Sequence, residues 1–191
     1  MKSPIAAPGA KSAESNMAIL IRPEQPEDAD DIDTVVGAAF VPERGGPAEA
    51  AAEAKLVRAL RGDGDLTLSL VAEQSGLIVG HIGFVRLEIE PDPRLRIWGL
   101  APLSVAPDWQ GEGIGAAMVR EGLMLARRAG VGLVLVLGSP AYYSRFGFAP
   151  EHAVGIDVPW AGPQFLGLLL RDTRPQRGRA VYPDAFAALG V

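Results

Sequence analysis

Apolar and polar positions recur along this chain with two different periods, and the places where one period gives way to the other mark out its elements. Ile19-Leu20-Ile21 is a short β-type run closed by Arg22-Pro23, and Pro26-Glu27-Asp28 sets a proline and two acids where a helix begins. Ile32, Val35, Val36, Ala39 and Phe40 then share one helical face, with Asp30, Asp31 and Asp33 left for solvent, up to a stop near Val41-Pro42. Glu43 to Pro47 reads as a Gly/Pro loop. Beyond it, Ala48 to Arg61 reads as a second helix with Leu56, Val57 and Leu60 as its apolar stripe, ended by Gly62-Asp63-Gly64.

From Leu66 the period becomes that of strands. Leu66 to Glu73, a Gln74-Ser75-Gly76 turn and Leu77 to Glu88 predict a hairpin, and Pro91-Asp92-Pro93 a second turn. Leu95 to Val105 is the next strand, interrupted by Pro102. Proline cannot donate to a ladder, so a bulge or a loss of pairing is expected near Ala101-Pro102, with the strand splaying there. Glu112 to Ala129 predicts a helix, with Ile114, Met118 and Leu125 inward, Arg127 and Arg128 in its last turn and Gly130 as its stop. Val131 to Leu137 is almost wholly apolar, as suits a central strand covered on both faces. Pro140 to Arg145 suggests a short helix, Phe146-Gly147-Phe148 the start of a strand, Leu166 to Leu170 one more strand, and Tyr182 to Leu189 a final amphipathic segment.

Composition narrows the classes. A chain of 191 residues suits one domain, here 18–191, preceded by a tail at residues 1–17 rich in Ala, Ser, Pro and Gly that is expected to be disordered. There is no cysteine, hence no disulfide framework, thiolate zinc site or sulfur nucleophile, which fits a reducing, cytoplasmic setting. His81 and His152 are the two histidines, and no metal site is expected. A formal net charge of −5 argues against a nucleic-acid partner, and no run reaches the length of a membrane span. The arginines at 171, 174, 177 and 179 read as a solvated turn, and Trp98, Trp109 and Trp160 as packing residues.

The stretch that carries chemistry is Val105-Ala106-Pro107-Asp108-Trp109-Gln110-Gly111-Glu112-Gly113-Ile114-Gly115, an apolar strand end followed by a loop whose three alternate glycines open a helix. Unpartnered N–H groups and the helix dipole make such a junction an anion cradle. A Rossmann turn fits poorly, because the glycine spacing differs and Val131 to Leu137 offers no acid for a ribose. A P-loop fails because no Gly-Lys-Ser/Thr follows. What is left is a pyrophosphate site of another fold.

Gln110-Gly111-Glu112-Gly113-Ile114-Gly115 resembles the Gln/Arg-x-x-Gly-x-Gly/Ala signature of the GCN5-related N-acetyltransferases. Leu103-Ser104-Val105-Ala106-Pro107 is similar to that family's Leu-x-Val-x-Pro strand end, and Tyr143 leading into Gly147-Phe148 to its second signature. Ile21-Arg22-Pro23 with Glu27-Asp28 resembles its opening strand and helix, so the likeness spans Ile19 to Pro159. The wording Pro140-Ala141-Tyr142-Tyr143 with Phe146-Gly147-Phe148 is similar to the YhbS-like subgroup. The resemblance implies an α/β domain of the α+β type: a mixed, mostly antiparallel sheet with a splayed strand pair, flanked by helices. It implies acetyl-CoA as cosubstrate and an amine acceptor, either a small molecule or a peptide or protein amine, and homodimers occur among relatives.

Carried onto this chain, the resemblance implies pyrophosphate binding by the backbone of Gln110, Gly111, Glu112, Gly113, Ile114 and Gly115. Leu103, Ser104 and Val105 would offer free backbone to the pantetheine arm, and Val105 N–H would polarise the thioester carbonyl. Tyr143 matches the tyrosine that protonates the departing thiolate, whereas Tyr142 is expected to pack on the other side. Ser139 stands where many relatives have an asparagine touching the cofactor arm. Many relatives carry a glutamate on the strand before the glycine loop, but Ile97-Trp98-Gly99-Leu100-Ala101-Pro102 has no acid. By chemistry alone Glu43, His81, Glu88, Glu90 and Asp157 are candidate bases alongside a water chain, although each has a plain structural reading. Two alternatives stay open: a non-catalytic CoA-binding module, and a transferase of longer acyl groups.

Overall fold

The structure is a computed structural model that describes residues 18–44, 47–91, 96–171 and 177–189. The N-terminal tail, Gly45-Gly46, most of the turn at Pro91-Asp92-Pro93, and Arg174 lie outside the described residues. Among the described residues eight strands form the sheet: β1 (Leu20–Pro23), β2 (Leu66–Gln74), β3 (Leu77–Glu90), β4 (Ile97–Val105), β5 (Leu133–Leu137), β6 (Ile156–Asp157), β7 (Phe165–Leu169) and β8 (Gly178–Val181). The main path runs β1-β2-β3-β4-β5-β7, and β8 joins the far end of β3 and pairs with β6. Along the main path β4 and β5 are the parallel pair and every other pairing is antiparallel.

Helices α1 (Ala29–Arg44) and α2 (Pro47–Gly62) cover one face, and α3 (Ile114–Arg128) covers the other. Strand alternation sorts the core accordingly. Leu70, Ala72, Ile82, Phe84, Val134 and Val136 pack with Met118, Val119 and Leu123 of α3. Val85, Leu87, Leu133 and Leu135 pack with Leu56 and Leu60 of α2, and Val71 with Ile32 and Val36 of α1. Each such side chain removed from water stabilises the fold by roughly 1.5–3 kcal/mol, which fixes the helices against the sheet. At Gly122 a Cβ would stand 2.5 Å from the Phe84 ring, so this glycine lets α3 lie close on the strands.

The entry into α1 is built from charge. Arg22 grips Asp28 with two hydrogen bonds of 2.7 and 2.9 Å and Glu73 with a third of 2.7 Å, while Gln25 N–H donates to the same Asp28 carboxylate at 2.7 Å. The Arg22 guanidinium beside it holds the Asp28 carboxyl below the usual carboxylate range. Under α1 and α2 lies a buried polar set: Arg61 and Ser69 both donate to Glu24, and Ser69 Oγ is 2.9 Å from His81 Nε2. Because the Ser69 proton goes to the carboxylate, Ser69 accepts from His81 Nε2–H, and Nδ1 carries the lone pair.

Several boundaries differ from the sequence reading. α1 continues through Pro42 to Arg44, since a proline in the last turn forfeits only one helical hydrogen bond. No strand starts at Phe146: Ser144–Phe146 is a 3-10 turn closed by Gly147 at φ +89°, and Ala149 contributes a single bridge to Gly167. The short helix, α4, is Pro140–Tyr143. β6 and β8 were not foreseen.

Candidate active site

The site lies where β4 leaves β5. Parallel pairing covers Ile97↔Leu133 to Leu100↔Val136 and goes no further. The cause sits on the other edge of β4. Between the pairs Leu100↔Phe84 and Leu103↔Ile82, Ala101 and Pro102 together oppose Gly83, which is the expected bulge. A Cβ at Gly83 would stand 2.7 Å from the Ala101 carbonyl oxygen, so the bulge needs a glycine opposite it.

Beyond the bulge the ladder phase decides which backbone groups are free. Ala106 N–H donates to Val79 O at 2.9 Å, and antiparallel pairing alternates, so Ser104 turns its N–H and C=O to β3 while Leu103 and Val105 turn theirs into the fork. Ser104 therefore separates from its neighbours: its side chain is buried on the α1–α2 face, across the ladder from His81. The Val105 carbonyl accepts from Gln110 Nε2 at 3.0 Å.

Gln110 leads into the glycine turn. Gly111 and Gly113 have φ +80° and +84°, a left-handed geometry that strains any residue with a Cβ, and open space surrounds the position of a Cβ at either. Gly113 is the N-cap of α3 with no side chain capping it, and the first helical bond is Ala117 N–H to Gly113 O. The N–H groups before Ala117 thus face outward at the positive end of the helix. Gly115 serves a different purpose. A Cβ there would meet the Tyr142 hydroxyl at 2.8 Å, so Gly115 makes room for a side chain.

A cleft of about 740 Å³ joins these parts, lined by Leu103, Val105 and Gln110 on one side and by Gly138, Ser139, Tyr142 and Tyr143 on the other. Tyr143 is buried, 8% exposed, edge-on to Phe148 with ring centroids 5.5 Å apart, and Gly138 lies so close beneath its ring that a Cβ would overlap it. Tyr142, expected to face away, lines the same cleft. Its ring carries the Arg145 guanidinium 4.5 Å above the centroid, and burial pushes its hydroxyl pKa up against the opposing pull of Arg145 and Arg120.

Of the acids weighed as bases, Glu88 and Glu90 are solvent-facing on β3 beside Arg86 and Arg179, and Asp157 is exposed on β6. The Glu43 side chain lies outside what the structure describes. His81 is fully buried in the Glu24 network, where burial lowers its pKa while Glu24 opposes the shift. One acid was missed. Glu53 of α2 is 5% exposed and lines the cleft together with Phe40, Leu56, Trp160, Tyr182 and Phe186. Its spacing to Leu56, Val57 and Leu60 puts it on the apolar stripe of α2, and a carboxylate in a buried stripe was the available signal.

The chain is similar in sequence and in fold to known proteins. Residues 65–150 match the acetyltransferase (GNAT) domain. The uncharacterized N-acetyltransferase YhbS of Escherichia coli (strain K12) is 38% identical over 147 residues, covering 76% of this chain and 83% of that protein. A GNAT family acetyltransferase from Brucella melitensis, solved in complex with acetyl-CoA, is 38% identical with a TM-score of 0.74, covering 88% of this chain and 98% of that one. The structure of Escherichia coli YhbS in complex with CoA is 34% identical with a TM-score of 0.79, covering 94% and 96%. The chain belongs to the GNAT acetyltransferases and is an acyltransferase.

Proposed function

We propose that this chain transfers the acetyl group of acetyl-CoA to a primary amine by direct attack, with no acyl-enzyme. The observation that carries the reading is the convergence on one cleft of free β4 backbone and a tyrosine pair, with the uncapped start of α3 at its mouth. The cradle fits the cosubstrate: N–H groups from Gln110 to Gly115 suit a pyrophosphate, and Leu103 and Val105 can pair with a pantetheine arm as an added strand would. Acetyl-CoA supplies an activated thioester. The Val105 N–H, turned away from β3 into the fork, is free to donate to the thioester oxygen as charge develops there.

Tyr143 is the proposed acid. As the new C–N bond forms and the C–S bond breaks, its hydroxyl proton goes to the sulfur, and the amine releases a proton to water. Ser139 stands at the N-cap of α4, facing the pantetheine path. A thiol-release assay with acetyl-CoA and a panel of primary amines tests the reaction, with mass spectrometry of the acceptor. A mass gain of one acetyl group is expected; tight acetyl-CoA binding without transfer to any amine would favour the non-catalytic alternative instead.

A further inference from the structure

Two arginines stand beside the glycine turn, and the acetyl-transfer chemistry uses neither. Arg120 is on α3, Arg145 is in the 3-10 turn after α4, and both are exposed. Each lies over an aromatic ring: the Arg145 guanidinium is 4.5 Å from the Tyr142 centroid and that of Arg120 5.7 Å from the Phe146 centroid, and the two rings are themselves 5.7 Å apart. A contact of this kind engages the charge of a guanidinium but none of its N–H donors. Neither arginine forms an ion pair with a carboxylate among the described residues.

Both charges converge on the start of α3. Arg120 follows Gly115 by about 7–8 Å along the helix axis, and helical side chains lean toward the N-terminus, which carries its head back over the first turn. Tyr142, beneath Arg145, has its hydroxyl 2.8 Å from the Cβ position of Gly115. Burial raises the pKa of that hydroxyl, and Arg145 and Arg120 both pull against it, so the two cations act on one point.

We infer that Arg120 and Arg145 form a subsite for the 3′-phosphate of the cosubstrate, so that the protein distinguishes CoA from 3′-dephospho-CoA. This rests on the acetyl-CoA reading of the turn at Gln110 to Gly115. The backbone donors of that turn supply partial positive charge alone, and its charged side chains, Asp108 and Glu112, are both acidic. Arg120 and Arg145 supply the formal positive charge the turn lacks. A phosphomonoester carries a charge of about −2 near neutral pH and presents three acceptor oxygens, which guanidinium forks match. Two cations held side by side repel each other, and a dianion between them replaces that repulsion with attraction.

Calorimetric titration with CoA and with 3′-dephospho-CoA tests this on the wild-type protein, Arg120→Gln, Arg145→Gln and the double variant. The wild type is expected to bind CoA about 30-fold more tightly than 3′-dephospho-CoA. Each single variant should cut that ratio to about fivefold and the double variant should bring it close to one, with affinity for 3′-dephospho-CoA little changed. Equal binding of the two ligands by the wild type would overturn the inference, and that comparison needs no variant. So would a loss in the variants that is the same for both ligands, because it would put the arginines on a group the two ligands share. Either result leaves donor binding intact, whereas failure of the wild type to bind CoA at all counts against the acetyl-CoA reading itself.

Discussion

The hydroxyl of Tyr142 lies 2.8 Å from the point where a Cβ on Gly115 would stand, so the third glycine of the loop is occupied in space by a tyrosine from α4. Gly115→Ala keeps a helical backbone and gains up to about 1 kcal/mol of helix propensity. It must nonetheless displace Tyr142 from the start of α3. The expected result is unchanged or higher thermal stability with acetyl-CoA affinity reduced about tenfold. Titration calorimetry beside a melting curve checks both; unchanged affinity would show that the Tyr142 position has no bearing on the donor.

Gly113→Ala separates backbone strain from side-chain crowding. Open space surrounds its Cβ position, so its cost is the left-handed φ of +84°, about 1–2 kcal/mol. If the turn holds phosphate through its own N–H groups, relaxing that geometry should weaken acetyl-CoA binding more than it lowers the melting temperature. Equal binding by the variant and the wild type would count against the cradle.

Tyr143 and Tyr142 line one cleft but are set differently, Tyr143 buried against Gly138 and Phe148 and Tyr142 open to Arg145. Tyr143→Phe should lower turnover by about 10²-fold with little change in acetyl-CoA affinity, as expected for loss of a general acid. Tyr142→Phe should affect turnover much less. Gly138→Ala, which crowds the Tyr143 ring, should resemble Tyr143→Phe. A reversed order in the two tyrosine variants would transfer the acid role to Tyr142.

The local signals were legible in the sequence. Pro102 announced the bulge because a proline removes a ladder donor wherever it falls, and Gly111 and Gly113 announced the turn because their φ demands glycine. What stayed hidden depends on distant partners. Gly178–Val181 becomes a strand by pairing with Glu88 to Glu90, and Phe146-Gly147-Phe148 does not because Gly147 turns left-handed. Glu53 looked like one more acid on a charged helix. Its burial comes from packing between α1, α2 and the aromatic residues that line the cleft, which spacing alone suggests but cannot complete. Tyr142 faced the cleft for the same kind of reason: α4 is a single turn, so adjacent residues both reach it.

Acid should unfold the protein in two steps set by the network under α1 and α2. His81 is held below its ordinary value, chiefly by burial, so the unfolded chain binds the proton first as pH falls through about 6.5, and stability present above that pH declines below it. Burial pushes the Glu24 carboxyl up, but His81, Arg61 and Ser69 together outweigh it and hold it at about 2. Its contribution, at most about 3 kcal/mol, is present above pH 4.5 and lost as pH falls toward 2. Urea midpoints from pH 8 to pH 2 check both steps. His81→Gln should lower stability at pH 8 and narrow the gap to wild type by pH 5; a constant gap would contradict the assignment.

Titration of the wild-type protein with acetyl-CoA by isothermal calorimetry tests whether the fork between β4 and β5, with the start of α3, holds the cosubstrate. Expected is saturable one-to-one binding that weakens as salt is raised, because the α3 cradle meets phosphate charge. No heat of binding at millimolar acetyl-CoA would contradict it.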